Sequence, residues 1–331
     1  MRNASMNAHR KSFCFGLIAL ALTVVASASA QEDPVKYPTQ PIRIVVGFAA
    51  GGGNDIIARI FGQKLSEDLG QPVIVENRPG GGAIVATEHV AESAPDGYTL
   101  LVGASGMAIN PSLYSRLPYD SVRDFVAVSE LATFPLILIV NASSPIKSVA
   151  ELVAYAKANP DKTNYASSSA SFQLVTELFK QKTGAPMQVI PYKSATESVT
   201  AVISGQVTTT IADAGPVLSQ VQGGHVRALA IASPRQMAEL PGVPTLKETG
   251  ADVDGDLWTG VFAPKNTPPA VVKKLESEFI RIARLPEVIS RLKPLGVEPV
   301  GSSSEEFTRI LAADIIRWGE VAKAGNIKIE Q

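Results

Sequence analysis

The sequence runs to 331 residues, 45% of them hydrophobic and 18% charged, with 30 Lys and Arg against 31 Asp and Glu. That near-neutral balance, without any dense basic run, argues against nucleic acid as a partner. The only cysteine is Cys14, which excludes cysteine nucleophiles, cysteine-ligated zinc and internal disulfides.

Residues 1–30 read as an export signal. Arg2, Arg10 and Lys11 precede an apolar run over 13–25, and Ala28-Ser29-Ala30 has the small-residue pattern of a cleavage site before Gln31. The run is shorter than the roughly 20 residues that a bilayer core requires. Cys14 follows Lys11-Ser12-Phe13 and lacks the small-residue context of a lipoprotein site. Removing the signal leaves 27 basic against 31 acidic residues, a net charge of −4. No later apolar stretch is long enough to span a membrane.

From Ile42 onward, β-branched runs alternate with helical periodicity, which predicts an α/β fold with largely parallel strands. A strand over 42–46 empties into Gly47-Phe48-Ala49-Ala50-Gly51-Gly52-Gly53. Asn54 is the expected N-cap of a helix in which Ile57, Ile60, Phe61, Leu65 and Leu69 repeat at three and four. A strand over 73–75 leads through Arg78-Pro79-Gly80-Gly81-Gly82 into a helix over 83–93, and a strand over 98–102 ends in Gly103-Ala104-Ser105-Gly106. Three successive strand ends thus run into small residues, at the sheet edge where open α/β folds bind ligands.

The apolar stretch 125–140, interrupted by Pro135, reads as a strand crossing between lobes. A second α/β series follows, with helices expected over 149–158, 172–182 and 198–204 and strands over 164–166, 188–192, 208–212 and 226–232. A return strand over 257–262, a helix over 269–283 capped by Thr267-Pro268, and a helix over 307–324 behind the capping box Ser303 and Glu306 complete the chain. This order predicts two lobes, each a mixed, mostly parallel sheet flanked by helices. Residues 31–135 and 256–331 form a discontinuous first lobe, 136–255 a continuous second one, and a cleft lies between them.

In the loop 49–55 the glycines let backbone amides approach a ligand, and the helix start behind them offers unpaired N–H groups and about half a positive charge to an anion. It is not a dinucleotide fingerprint, because Ile56 stands where the third glycine belongs. Ser105 follows a strand, but its second flanking glycine comes one place early for a nucleophile elbow. His89 and His225 are isolated, and no metal-ligand spacing appears. A secreted serine hydrolase using Ser105 is therefore the weaker alternative, and no cofactor or metal is expected. In the second lobe, four of the five residues 167–171 are serines. N-capping by Ser171, or by Ser194 with Glu197, explains one serine each but not the cluster. Asp213, after the strand 208–212, is the acid placed at the cleft, where it could accept a hydrogen bond from a ligand hydroxyl or ammonium. Trp258, on the return strand, reads as core, with lining of the cleft as the lesser alternative.

Taken in order, these residues resemble a family. Tyr37-Pro38, Pro41-Ile42-Arg43-Ile44-Val45-Val46, Phe48-Ala49-Ala50-Gly51-Gly52, Asp55 and Ala58-Arg59 look like the start of the Bug-type receptors of tripartite tricarboxylate transport. Val75-Glu76-Asn77-Arg78-Pro79-Gly80, Asp96-Gly97-Tyr98-Thr99-Leu100, Asn110-Pro111-Ser112-Leu113-Tyr114, Pro191-Tyr192-Lys193, Gly242-Val243-Pro244-Thr245 and Phe262-Ala263-Pro264 continue the match. The resemblance implies a type II periplasmic binding-protein fold, whose two lobes close on one small carboxylate held by loop amides and bridging waters. Carried over by position, Phe48, Ala49, Gly51, Gly52, Asp55 and Ser105 form the first-lobe site, faced by Ser168, Ser169, Ser194 and Asp213. The implied ligand is a di- or tricarboxylate, an acidic amino acid or an aromatic acid. The implied partners are the permease subunits of a tripartite transporter, or alternatively a sensor protein, and the receptor is expected to be a periplasmic monomer without catalytic chemistry. Two departures fall in the second lobe. Gln173 stands where the family has a histidine, and Ser194-Ala195 replaces a glycine pair.

Overall fold

The computed structural model describes residues 36–328; the export signal read from the sequence lies outside the described residues. The chain alternates strands and helices. The first half comprises β1 (Ile42–Val46), α1 (Gly53–Leu69), β2 (Val73–Asn77), α2 (Ile84–Ala91), β3 (Thr99–Ala104), α3 (Gly106–Leu113), β4 (Phe125–Phe134), β5 (Leu136–Asn141), α4 (Val149–Ala158) and β6 (Asn164–Ser167). There follow α5 (Ala170–Thr183), β7 (Gln188–Pro191), α6 (Ala195–Ile203), β8 (Thr209–Asp213), α7 (Ala214–Gln222), β9 (Val226–Ile231), β10 (Leu257–Pro264), α8 (Pro269–Ala283), α9 (Pro286–Leu292), β11 (Glu298–Pro299) and α10 (Ser304–Ala324).

The strands sort into two sheets, ordered β11-β4-β10-β3-β1-β2 and β7-β6-β8-β5-β9. In the first, β1 pairs parallel with β2 and β3, while β10 runs antiparallel between β3 and β4. In the second, β6 is parallel to β7 and β8, and β5 is antiparallel to β8 and β9. Pro135 alone separates β4 from β5, so the stretch read as one crossing strand is two, each belonging to a different sheet. Proline has no N–H to give a ladder, which makes it the natural place for the change of sheet. The chain returns between β9 and β10, and Leu257 pairs with Phe134 beside the outward crossing.

Both faces of each sheet are covered, which is why the strands read as near-continuous apolar runs. Ile44 and Val46 pack with Ile57, Phe61, Leu275 and Phe279 under α1 and α8. Val45, one residue out of phase, faces a core that continues through Phe262, Phe307 and Trp318 to Leu136, Leu138 and Phe179 of the second sheet. Ile137 and Ile139 point the other way, toward Val199, Val202 and Val217 of α6 and α7. Gln181 Nε2 of α5 donates to the Val321 carbonyl of α10 at 3.1 Å, tying helices from the two halves together.

The capping serines at 148, 194 and 303 accept the amides of Glu151, Glu197 and Glu306 at 3.1, 3.2 and 3.1 Å, as expected of capping boxes. Other caps differ from expectation. The N-cap of α1 is Gly52, and Asn54 instead accepts a hydrogen bond from the Thr259 hydroxyl. Ser169, not Ser171, caps α5, accepting the Phe172 amide at 3.4 Å. Pro268 occupies the N-cap of α8, while the Thr267 hydroxyl donates to the Pro264 carbonyl at 2.7 Å. Helices α3, α7 and α9 were not anticipated: Gly106, Gly215-Pro216 and Pro286 look like loop residues, yet all stand in first turns, where proline costs no intrahelical hydrogen bond. Among the described residues no helix is long and apolar enough to cross a membrane, and no group of three or more His, Cys, Asp or Glu could hold a metal ion.

Candidate binding site

Because β1, β2 and β3 are parallel, their carboxyl ends share one edge of the first sheet. The loops leaving that edge meet at a cavity of about 450 Å³, lined by Phe48, Gly53 and Asn54 after β1, Gly82 after β2, and Ala104, Ser105 and Gly106 at the end of β3. The three glycine-bearing turns therefore converge. Gly47 makes the approach feasible, since a Cβ there would stand 2.4 Å from that of Ala83. Gly51, at φ +84°, takes a left-handed conformation that other residues resist. From the second sheet, Ser169, Ala170, Ser171 and Phe172 after β6 and Asp213 at the end of β8 line the same cavity. The crossing strands add Phe134, Leu136, Leu257 and Trp258.

The cavity is thus ringed by helix starts. Gly53, Gly106 and Ala170 are the first residues of α1, α3 and α5, and Asp213 is the N-cap of α7. Each start brings unpaired N–H groups and the positive end of a helix dipole. Lys, Arg and His are missing from the described lining. An anion here would be neutralised by main-chain dipoles rather than by a cationic side chain.

Most polar side chains of the first wall are already engaged. Asp55, only 2% exposed, accepts the Gly51 amide at 2.8 Å and Arg59 Nε at 2.9 Å on one oxygen and Asn77 Nδ2 at 2.8 Å on the other. Burial pushes its pKa up, but the bonds from Arg59, Gly51 and Asn77 outweigh burial and hold the carboxyl below the usual aspartate value. Asn77 also donates to the Phe48 carbonyl at 3.1 Å. Asp55 therefore fastens the loop and lies outside the cavity lining. Ser105 is locked to the return strand: its hydroxyl accepts the Trp258 amide at 2.7 Å and its own amide donates to the Trp258 carbonyl at 3.0 Å. Neither His89 nor His225 lines the cavity beside it.

Of the other residues expected at the site, Phe48, Ser169 and Asp213 line the cavity, whereas Ala49, Gly51 and Gly52 lie exposed in the loop above it. Ser168 is half-buried beside the lining, and Ser194 caps α6 away from it. Asp213 differs from its neighbours. Its Oδ1 is buried without a hydrogen-bond partner among the described residues, and it caps α7 without any side-chain bond to the helix. Burial pushes its pKa above the ordinary aspartate value.

The sequence reading passed over much of the apolar lining. Tyr114, Phe134 and Phe172 stand in the wall, and Trp258 is both core and wall, its Nε1 donating to Asp314 at 2.8 Å and its ring edge-on to Phe307. Asn110 also lines the cavity and donates to Tyr119 at 3.2 Å. The one available signal was position, since Phe134 abuts Pro135 and Phe172 follows the serine cluster.

Comparison with known proteins gives a consistent answer. A family profile described as "Tripartite tricarboxylate transporter family receptor" matches residues 57–327. Protein BugT of Bordetella pertussis is 33% identical over 330 residues, covering 98% of this chain and all of its own. Among solved structures, the R. palustris protein Rpa4515 with adipate superposes with a TM-score of 0.76 at 32% identity, covering 88% of this chain and 99% of the other. MatC from Rhodopseudomonas palustris with bound malate gives 0.68 at 29% identity, covering 86% and 99%. The periplasmic binding proteins among these neighbours share the two-lobed α/β architecture described above.

Proposed function

Since the chain belongs to the tripartite tricarboxylate transporter receptor family, we propose that it captures a small carboxylate between its two sheets and hands it to the permease of such a transporter. The observation that carries this reading is the convergence of four helix starts on one cavity whose described lining contains no basic side chain. Each start favours an anion by about 0.3–1 kcal/mol before its N–H hydrogen bonds are counted. The adipate and malate bound by two structural relatives are carboxylates of the size this cavity admits.

In this proposal Phe48, Ser105, Ser169 and Asp213 touch the ligand, and Ala49, Gly51, Gly52 and Asp55 shape the loop that offers it amides. Ser168 and Ser194 stand at the rim of the second lobe. The lobes, 31–135 with 256–331 and 136–255, close about the paired crossings at Pro135 and Leu257, and the closed form is the one a permease recognises. Export through the signal over 1–30 places a monomeric receptor in the periplasm. Catalysis has no part in the proposal, because the Ser105 hydroxyl is engaged by the Trp258 backbone and no histidine stands in the described lining around it. Calorimetry of the mature chain against di- and tricarboxylates, acidic amino acids and aromatic acids tests the reading. Heat from at least one class is expected, and silence from every class with the protein folded would overturn it.

A further inference from the structure

Asp213 is the one ionisable carboxyl in the described cavity lining, and it makes no side-chain bond to the helix it caps. At a helix N-cap an aspartate ordinarily accepts the amide two or three residues on. Here the third helical residue is Pro216, which has no N–H, and no side-chain cap bond forms. Gly215, two residues on, keeps its N–H, yet Oδ1 is buried without a hydrogen-bond partner among the described residues, and Asp213 lines a cavity whose described lining contains no cation to pair with it. A buried carboxyl oxygen without a donor is costly, so its retention calls for a partner arriving from outside. Its backbone pairs with Leu136, directly after the crossing. Phe134, Phe172 and Leu257 add apolar surface to the same lining.

Resting on the capture reading above, we propose that Asp213 sets the ligand class: the cleft takes a monocarboxylate with an apolar body whose other end offers a hydroxyl or ammonium hydrogen to the Asp213 carboxyl, in preference to a dianion with carboxylates at both ends. The ligand's own carboxylate goes to the helix starts, where the dipoles favour it. A second carboxylate would have to lie against Asp213, and two like charges in a water-poor cleft repel strongly. A hydroxyl or ammonium satisfies the orphaned oxygen, and a site built around such a bond rejects analogues that lack the donor.

The test is calorimetric titration of the full mature chain with adipate and with the monocarboxylates in which one adipate carboxylate is exchanged for a hydroxyl or an amino group, repeated at two shorter chain lengths. The wild type should bind the donor-bearing member of a set at least about tenfold more tightly than its dianion. Asp213→Asn, nearly isosteric and neutral, should shrink that preference to within about threefold, chiefly by tightening the dianion. The wild-type ratio needs no variant, so a misfolded Asp213→Asn would not spare the idea. A dianion bound as tightly as its partners, or a ratio untouched by Asp213→Asn in folded protein, would overturn the assignment. Heat from citrate or an aromatic acid with none from these sets would overturn it while leaving carboxylate capture standing. Silence from all of them would remove both.

Discussion

The two walls of the cavity are assembled alike, from strand ends that run into helix starts, but they spend their polar side chains differently. On the first wall Asp55, Asn77 and Ser105 bond inward to the protein and fasten the loops. On the second wall Asp213 keeps an oxygen without a partner. The positive ends of helix dipoles favour any carboxylate in the same way, whereas an unengaged side chain discriminates between the groups attached to it. Under the proposals above, affinity for the shared carboxylate and choice among its bearers are separable properties, located on opposite sheets.

The strongest challenge to that division is Asp55→Ala. It leaves the Gly51 amide, Arg59 and Asn77 without their common acceptor, and should cost about 3 kcal/mol of stability in chemical denaturation. Because only the shared wall loosens, every ligand should weaken by a similar factor. A changed order of preference would show that the first wall also discriminates.

A second test lies where the walls are joined. Burial, with Asp256, Glu306 and Asp314 as negative neighbours and Arg235 as the opposing one, pushes Glu130 up to about 7. Burial likewise brings Asp256 to about 7, with Asp254 and Glu298 adding to it and Ser233 and Arg235 opposing. Acids whose pKa is higher in the folded than in the unfolded chain hold extra protons when folded, so stability falls as pH rises from about 5 through 7. Each contributes on the order of 1–3 kcal/mol, titrating together with the other. The melting temperature should therefore be higher at pH 5 than at pH 8, with Glu130→Gln flattening the slope. A flat wild-type profile would mean that the junction is better solvated than its 5% exposure at Glu130 indicates.

The smallest expected effect belongs to Ser194→Ala. Loss of the cap on α6 should lower stability by about 1 kcal/mol without altering any dissociation constant, because Ser194 lies outside the cavity lining. A change in affinity would extend the second wall outward to that loop.

Much of this arrangement was legible in the sequence where backbone geometry demands a particular residue. The glycine turns after β1, β2 and β3 announced a close approach of main chain to something, and Pro135 announced the change of sheet. Direction was not legible. Asp55 and Asp213 are both aspartates in turns beside helix starts, and only the fold reveals that one is encircled by donors while the other keeps a buried oxygen without a partner among the described residues. Phe134 and Phe172 were hidden for a related reason, since an apolar residue next to a strand or helix looks the same whether it faces a core or a cavity. Helices α3 and α7 escaped because glycine and proline in a first turn are indistinguishable, by composition, from a loop.

Trp258 gives the molecule an optical property. The chain has two tryptophans; Trp318 is fully buried beneath the Arg317 guanidinium at 4.3 Å, while the indole of Trp258 belongs to the chamber wall itself. Water leaving that chamber as a guest enters alters the polarity around one of the two rings. On the proposed capture reading the receptor carries its own emission gauge, expected to report occupancy in dilute solution without a dye or a tag.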